Sequence, residues 1–146
     1  MNKPVVTCQP SDGLDKAAGL MWDYDCGVLP VTNEDGTLVG MITDRDICMA
    51  TYTRGLAPRE IPVRDAMSRQ VFACRTGDSI EAAESLMRDK QVRRVPVLNG
   101  SNEPVGMLSL NDVARYATSS RKKNGAERAL VETLSAISQP RPPLSS

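Results

Sequence analysis

Hydrophobic residues recur along this chain with two spacings, one typical of strands and one typical of helices. The same succession of strand-like and helix-like segments occurs twice. Short runs rich in β-branched residues predict strands, and apolar residues three and four apart predict helices. Within residues 1–50 the pattern predicts a strand over 5–8, a helix, strands over 28–31 and 39–42, and a closing helix that begins at Thr43. A polar turn separates the last two strands, so they are expected to form a hairpin. The predicted unit is βαββα.

A shift of 66 positions aligns residues 1–50 with residues 67–116 without a gap. Many aligned pairs are identical, and others exchange one apolar residue for another, so the two segments share a buried pattern. The identical pairs are Met1/Met67, Val5/Val71, Cys8/Cys74, Asp12/Asp78, Ala17/Ala83, Leu20/Leu86, Met21/Met87, Asp23/Asp89, Pro30/Pro96, Val31/Val97, Asn33/Asn99, Val39/Val105, Gly40/Gly106, Met41/Met107 and Asp46/Asp112.

The second copy predicts the same elements, with strands over 71–74, 95–98 and 105–108 and a closing helix from Ser109. One unit of about 50 residues is too small to bury both faces of its sheet, so the two copies are expected to share a core. The predicted fold class is therefore α+β, with two pseudo-symmetric βαββα repeats packed together and a short C-terminal helix.

The first helix of each copy is preceded by an acidic residue. Asp12 and Asp78 stand where a side-chain N-cap is expected, and Asp15 and Glu81 follow three residues later. This spacing is typical of a helix start, so we predict that Asp12 and Asp78 cap these helices.

The chain divides by composition into four segments. We predict a first repeat over 1–50, a linker over 51–66 that is rich in glycine and proline, and a second repeat over 67–117. Residues 118–146 are predicted to hold a C-terminal helix and a disordered tail. Apolar residues on one face between 126 and 137 indicate that helix.

The charges of the chain cancel, with 18 Lys and Arg residues against 18 Asp and Glu residues. No overall field therefore attracts nucleic acid or an anionic membrane. No apolar run approaches the roughly 20 residues that span a bilayer, and the N-terminus lacks the pattern of a signal peptide. We predict a cytoplasmic protein that binds neither nucleic acid nor membranes.

The chain has four cysteines and no histidine. The scattered positions of Cys8, Cys26, Cys48 and Cys74 argue against a disulfide framework and predict small buried apolar side chains. The absence of histidine removes the commonest general base and the commonest zinc ligand. Since phosphate-loop and metal-ligand spacings are also missing from the sequence, we predict neither an enzyme nor a metal site.

The segments 40–46 and 106–112 share the pattern G-h-h-[TS]-x-x-D, where h is apolar, and each lies where a strand is followed by a helix. In one interpretation, the hydroxyl of Thr43 or Ser109 and the acidic residue three positions on form a capping box. In the other, the same groups bind sugar hydroxyls while free backbone amides face a phosphate. Spacing alone does not separate the two interpretations.

Two arginines precede the middle strand of the second copy. Arg93 and Arg94 come before Val95 and Pro96, and their planar charged groups suit phosphate oxygens. Pro96 and its counterpart Pro30 lack an amide hydrogen, so neighbouring backbone groups are free to contact an adenine edge. The alternative is that the arginines are a solvated pair on an edge strand, where charge discourages aggregation.

The doubled pattern resembles a CBS-domain pair, the tandem domain named for cystathionine β-synthase. The resemblance is carried by 28–31 followed by 40–46, and by 92–97 followed by 106–112, and the segment 63–67 resembles the entry to such a repeat. The resemblance covers most of the chain, and the chain as a whole is similar to stand-alone bacterial CBS-pair proteins.

The resemblance implies a regulatory sensor without covalent chemistry or a cofactor. Such a module binds AMP, ADP, ATP or S-adenosylmethionine in clefts between its two repeats, is frequently a homodimer, and signals to a regulated partner protein. By this resemblance Asp46 and Asp112 hold ribose hydroxyls, and Thr43 and Ser109 bond ribose or phosphate.

By the same resemblance, the strands at Val28 to Pro30 and at Arg94 to Pro96, including Val95, line an adenine slot. Arg93 and Arg94 are then expected to meet the phosphates.

The two clefts are not expected to be equivalent. The first copy has Gly27 and Val28 at the positions of the two arginines, and Asp44 adds a negative charge there. Arg45 either compensates or pairs with a neighbouring carboxylate. We therefore expect one principal site, built around Asp112, Ser109 and Arg94.

The alternative function is a ligand-free CBS pair that acts only by dimerisation or docking. Every site residue named above then keeps its capping or surface role. Nucleotide-dependent melting distinguishes the two functions, because a ligand that binds the native state raises its melting temperature.

Overall fold

The computed structural model describes residues 5–119, with side chains described as far as Tyr116. The predicted C-terminal helix over 126–137 and the tail after it lie outside the described residues.

The described chain is a mixed helix and strand fold, and its elements follow the predicted order. They are α1 (Leu14–Asp23), β1 (Val28–Thr32), β2 (Leu38–Thr43), α2 (Asp44–Arg54), β3 (Cys74–Arg75), α3 (Ile80–Lys90), β4 (Arg94–Leu98), β5 (Pro104–Ser109) and α4 (Leu110–Ser119). Short 3-10 turns lie at Pro58–Glu60 and Val63–Asp65. Strands β1 and β2 form an antiparallel hairpin, and β3, β4 and β5 form a three-stranded sheet in that order. The α+β class and both hairpins are confirmed.

The predicted opening strands are shorter than expected. In place of the strand over 5–8, one parallel bridge joins Cys8 to Val31. The Cys8 N–H donates to the Pro30 carbonyl at 3.2 Å, and the Thr32 N–H donates to the Cys8 carbonyl at 2.9 Å. The ladder stops there because Pro10 has no N–H to continue it. The second opening strand is β3, which begins at Cys74.

The residues form two compact units. The first unit contains the described residues up to 71 together with 98–106, and the second contains 72–97 and 107–119. The turn of the second hairpin therefore belongs to the first unit, where the Asn102 carbonyl accepts a hydrogen bond from the Leu38 N–H at 2.9 Å.

The core of the first unit is formed by one face of α1, by the β1–β2 hairpin, by α2 and by part of the segment predicted as a linker. Its buried residues are Cys8, Leu14, Ala17, Met21, Leu29, Val31, Ile42, Ile47, Ile61 and Val63. Ile61 and Val63 are completely buried. The Ile61 carbonyl accepts from the Leu14 N–H at 2.9 Å, and the Val63 N–H donates to the Asp12 carbonyl at 2.7 Å. Residues of the predicted linker 51–66 thus complete this core.

The core of the second unit repeats the first at the same offset along the chain. Its buried residues are Cys74, Ala83, Met87, Val95, Val97 and Val113, each of which stands 66 positions after a core residue of the first unit. The repeat extends to the backbone, since Asp25 and Gln91 both adopt positive φ angles, of 50° and 53°. The shared apolar pattern therefore reflects a shared local fold.

The predicted helix caps at Asp12 and Asp78 are wrong. The N-cap of α1 is Gly13, with no side-chain cap, and the N-cap of α3 is Ser79, whose side chain accepts from the Ala82 N–H. Each aspartate lies one residue before the N-cap and instead accepts from the backbone N–H three residues earlier, at 2.7 Å for Asp12 and 2.8 Å for Asp78. These carboxylates close the turns that lead into the helices.

The four cysteines are free thiols in different environments. Cys8 and Cys74 are buried, Cys26 is half-buried and Cys48 is exposed on α2. The expectation of a buried side chain is therefore wrong for Cys48, which lies on the outer face of the helix that Ile47 attaches to the core. Burial raises the pKa of the Cys8 thiol to about 12, and nearby Asp12 adds to the effect.

Candidate functional site

The junction of β5 and α4 is held by reciprocal hydrogen bonds between Ser109 and Asp112. The Ser109 Oγ accepts from the Asp112 N–H at 3.1 Å, and the Asp112 Oδ2 accepts from the Ser109 N–H at 2.9 Å. The Ser109 hydroxyl also donates to the Asp112 Oδ2, at 3.0 Å. These reciprocal bonds form a capping box, as the first interpretation of the motif predicted. It fixes a hydroxyl and a carboxylate side by side at the start of α4.

The second oxygen of Asp112, Oδ1, accepts a hydrogen bond from the Arg115 guanidinium. Partial burial alone raises the pKa of Asp112, but the hydrogen bonds from Ser109 and the charge of Arg115 outweigh it and lower the pKa. The carboxylate is therefore ionised at neutral pH. A ligand that uses Oδ1 must share that oxygen with Arg115 or displace it.

Arg115 was not among the residues predicted for this site. The sequence does contain an indication of this contact, because Arg115 follows Asp112 by three residues. That spacing brings opposite charges together on one helix face.

Arg93 and Arg94 lie beside this helix start. The Leu110 N–H at the start of α4 donates to the Arg93 carbonyl at 2.8 Å, and Arg94 is the first residue of β4. Both side chains are exposed. Within residues 5–119, no ion pair involves either guanidinium. The Arg93 backbone thus adjoins the helix start that carries Ser109 and Asp112, and both arginine side chains of this segment are open to solvent.

The other two residues predicted on this strand are buried. Val95 is completely buried in the core of the second unit, and Pro96 is buried too. Their side chains face away from solvent, so only their backbone is suited to contact a ligand at this edge.

The corresponding junction of the first repeat, between β2 and α2, has the same cap. The Thr43 Oγ1 accepts from the Asp46 N–H at 3.1 Å, and the Asp46 Oδ2 accepts from the Thr43 N–H at 3.0 Å. The Asp44 N–H donates to the Gly27 carbonyl at 3.0 Å, as Leu110 does to Arg93 in the second repeat. The backbone of the two junctions is therefore equivalent.

The charges of the two junctions differ. Asp44 turns its carboxylate towards Gly27, and a Cβ atom added to that glycine would be 3.1 Å from the Asp44 Oδ2. Where the second repeat carries an arginine, the first repeat has a carboxylate against a glycine. Arg45 is exposed and belongs to no ion pair among the described residues, so it is not paired with a neighbouring carboxylate.

Val28 and Pro30 lie on β1 opposite the end of β2. Val28 pairs with Thr43, and Pro30 pairs with Met41. Val28 is half-buried and Pro30 is buried. The predicted residues thus form two local groups, one in each unit. The first group consists of Val28, Pro30, Thr43, Arg45 and Asp46, and the second of Arg93, Arg94, Val95, Pro96, Ser109 and Asp112.

Residues 5–119 have no group of three or more Cys, Asp or Glu side chains placed to hold a metal ion. The same part of the chain has no helix long and apolar enough to cross a membrane. A shallow open groove in the first unit includes none of the predicted site residues, and it is lined by Gln9, Pro10, Ser11, Asn33, Glu34, Asp35 and Arg64.

Comparison with known proteins defines the class. The family model for the CBS domain matches residues 1–52 and again 63–119, so this chain belongs to the CBS-domain family and carries two copies of the domain.

Particular relatives are similar over most of their length. The CBS domain-containing protein YhcV of Bacillus subtilis is 37% identical over 114 residues, which cover 78% of this chain and 79% of that protein. Hypoxic response protein 1 of Mycobacterium tuberculosis is 31% identical over 140 residues, which cover 96% and 92%.

Solved structures share the fold. A crystal structure of hypoxic response protein I with two coordinated zinc ions is 33% identical, with a TM-score of 0.69 over 80% of this chain and 94% of that one. The CBS-domain pair of protein MJ0100, in complex with 5′-methylthioadenosine and S-adenosylmethionine, has a TM-score of 0.71 over 82% and 92%. That structure is 24% identical, so the likeness concerns the fold alone.

Proposed function

We propose that this chain is a regulatory module, not an enzyme, that binds an adenosine nucleotide through the β5–α4 junction and signals to a partner protein. One observation carries the proposal. Two exposed arginines, Arg93 and Arg94, lie where the backbone is bonded to the start of α4, at which the Ser109 hydroxyl and the Asp112 carboxylate are held side by side. Phosphate and ribose have the chemistry that these two pairs of groups recognise.

The choice of an adenosine ligand has separate support. The pair of CBS domains in MJ0100 is described with two adenosine-containing ligands, 5′-methylthioadenosine and S-adenosylmethionine. The proposal extends this class of ligand to the present chain, with AMP, ADP and ATP as further candidates. The free thiols of all four cysteines suit the reducing cytoplasm, where we propose that the module acts.

The second repeat is proposed as the principal site because of charge. Phosphate is attracted to Arg93 and Arg94, whereas the Asp44 carboxylate at the first junction repels it. In the second repeat, a ribose hydroxyl that binds the Asp112 carboxylate replaces or shares the hydrogen bond of Arg115. The released guanidinium then becomes a further phosphate ligand.

Isothermal titration with AMP, ADP, ATP and S-adenosylmethionine tests the proposal. We expect saturable binding of at least one ligand, and Asp112→Ala should weaken it by about 1–3 kcal/mol, or roughly five- to 150-fold. Asp46→Ala is the matched control, because it removes the same cap from the first repeat while leaving the second junction intact. The absence of binding to all four ligands, or equal losses in the two variants, would refute a principal site at Asp112.

The alternative function, a ligand-free dimerisation or docking module, is favoured by a different observation. Trp22 is 86% exposed and Tyr52 is 82% exposed on the first unit, and large apolar side chains at the surface often mark an interaction site. Under this alternative, the melting temperature does not change with nucleotide concentration.

A further inference from the structure

The first helices of the two repeats differ in how completely they are covered. Leu14, at the start of α1, is completely buried, and its N–H donates to the Ile61 carbonyl at 2.9 Å. Ile61 and Val63 are completely buried as well, so the segment that follows α2 covers this end of α1. The residue 66 positions after Leu14 is Ile80, at the start of α3, and it is only half-buried.

The backbone before each helix shows the same difference. In the first unit the Val63 N–H donates to the Asp12 carbonyl at 2.7 Å. In the part of the chain that the structure describes, neither the equivalent Asp78 carbonyl nor the Ile80 N–H has a backbone partner. No described residue therefore takes the place at α3 that the segment after α2 takes at α1.

A second apolar position of the second unit is also less covered than its counterpart. Ile42 on β2 is completely buried, whereas Leu108, 66 positions later on β5, is half-buried. Leu108 and Ile80 both pack against the edge of the second core. Apolar side chains that lie together and half-open to solvent are suited to bind a further apolar segment.

The chain beyond the described residues supplies such a segment. Leu130, Leu134 and Ile137 recur at intervals of four and three residues, which places them on one face of the helix predicted over 126–137. A helix with one apolar face needs an apolar surface to bury it.

The connection to this segment is long enough. In the first unit α2 ends at Arg54, and the seven residues from there to Ile61 return the chain to the start of α1. In the second unit α4 ends at Ser119, and eleven residues lead from there to Leu130. Since α4 has ten residues and is about 15 Å long, an extended connection at about 3.3 Å per residue spans its whole length.

Charge favours the same occupant. Asp78 and Glu81 are exposed acidic residues on either side of Ile80. The connection after α4 contains the basic run 121–123. Opposite charges therefore attract the connection towards the start of α3.

We propose that residues 126–137 fold back onto the second unit as a helix and cover Ile80 and Leu108 with their three apolar side chains. The segment thereby does for the second repeat what the segment after α2 does for the first. Because Leu108 directly precedes Ser109, the docked helix covers the end of β5 that leads into the candidate site. The inference does not depend on the proposed ligand.

A double-mutant cycle in the full chain tests the contact. Ile80→Ala and Leu134→Ala should each raise the unfolding equilibrium constant by at least about tenfold in urea titrations. Together they should raise it by clearly less than the product of the two effects, because residues in contact are coupled. Ile61→Val with Leu134→Ala is the control, and these effects should multiply, since Ile61 lies in the core of the first unit. Effects of Ile80→Ala and Leu134→Ala that also multiply would refute the proposal.

Alkylation of an introduced thiol measures the covering directly. In Ile80→Cys, the thiol at position 80 should react with iodoacetamide more slowly than the exposed Cys48, as measured by peptide mass spectrometry. Adding Leu134→Asp should raise the rate at position 80 by about tenfold or more, because a carboxylate on the apolar face opposes docking. Ser135→Asp places the same charge off that face and should leave the rate unchanged.

Three results would overturn the proposal. The first is a thiol at position 80 that reacts as fast as Cys48, and the second is an equal rate in the Leu134→Asp and Ser135→Asp variants. The third is an equal acceleration at the buried Cys74 of β3, which would show that the whole unit opens instead of losing one covering segment.

Protein concentration identifies the occupant. A segment of the same chain protects position 80 equally at every concentration, so the alkylation rate should be constant on dilution. A rate that rises on dilution would show that a second copy covers Ile80 and would refute the proposal.

Discussion

The carboxylate of Asp44 lies against Gly27, where an added Cβ atom would be 3.1 Å from the Asp44 Oδ2. The equivalent residues of the second repeat are Leu110 and Arg93, joined by the same backbone hydrogen bond. The two helix starts thus share their backbone and differ in charge. This difference has consequences for ligand affinity that substitution can measure.

Removing the two arginine charges should weaken binding according to the number of phosphates on the ligand. A hydrogen bond to a charged group contributes about 1.5–3 kcal/mol, so Arg93→Gln with Arg94→Gln should lower the affinity for ATP by about tenfold or more. Adenosine should be nearly unaffected. Isothermal titration measures both ligands.

Arg45→Gln is the control for this prediction, because Arg45 is exposed at the helix start of the first repeat. An equal loss of affinity for adenosine and ATP in the double variant would contradict a phosphate role for Arg93 and Arg94.

The hydroxyl caps of the two repeats should contribute similarly to stability. Thr43 caps α2 and Ser109 forms the same reciprocal bonds at α4. Loss of such a cap costs about 1 kcal/mol, so Thr43→Ala and Ser109→Ala should each lower the free energy of unfolding by about that amount in urea titrations. Thr43→Ser keeps the hydroxyl and should be nearly neutral. An unchanged stability in Ser109→Ala would contradict a stabilising role for its hydrogen bond to the Asp112 N–H.

The buried carboxyl of Glu84 should make stability depend on pH. Burial and the negative charge of Glu81 raise its pKa above the ordinary value of 4.5, although Arg88 opposes the shift. Since the folded pKa exceeds the unfolded one, the stability that Glu84 contributes is full below 4.5 and is lost as the pH rises through the folded pKa. Glu84→Gln should therefore become more stable relative to the unaltered protein as the pH rises from 4.5 towards neutrality.

Urea titrations across that pH range measure the difference, with Glu34→Gln as the control, because Glu34 is exposed in the first hairpin turn. A Glu84→Gln difference that stays constant, or that shrinks as the pH rises, would contradict the direction of this shift.

The repeat made most of the fold predictable from sequence. Aligned apolar positions such as Met21 and Met87 are core residues in both units, because the same side chains at the same spacing bury the same helix face. The caps were mispredicted at Asp12 and Asp78, since a carboxylate can close the preceding turn as readily as it caps a helix. Sequence spacing does not distinguish positions that differ by one residue.

The candidate site was predictable in part. The Thr43–Asp46 and Ser109–Asp112 pairs follow from spacing within one segment. The bond from Arg115 to Asp112 is likewise a contact within one helix, and its three-residue spacing could have indicated it. The burial of Val95 depends on how the sheet packs against the helices of its unit, which a strand pattern does not specify. Contacts made through packing require the structure.

Two glycines of the first unit should respond to alanine in opposite directions. A Cβ atom at Gly40 would be 2.8 Å from the Ser68 carbonyl oxygen, and that oxygen accepts a hydrogen bond from the Met41 N–H at 2.9 Å. Because the obstacle is backbone, Gly40→Ala must shift β2 or the bridged segment at Ser68, and overpacking of this kind costs about 1–3 kcal/mol. At Gly19 a Cβ atom meets nothing within 4 Å.

Gly19 lies within α1, so Gly19→Ala should raise the free energy of unfolding by about 0.5–1 kcal/mol through helix propensity alone. Urea titration of the two variants measures both effects on one protein. If Gly40→Ala is as stable as the unaltered protein, the pairing of Met41 with Ser68 is not rigid, and the segment after the second 3-10 turn does not hold β2 in place.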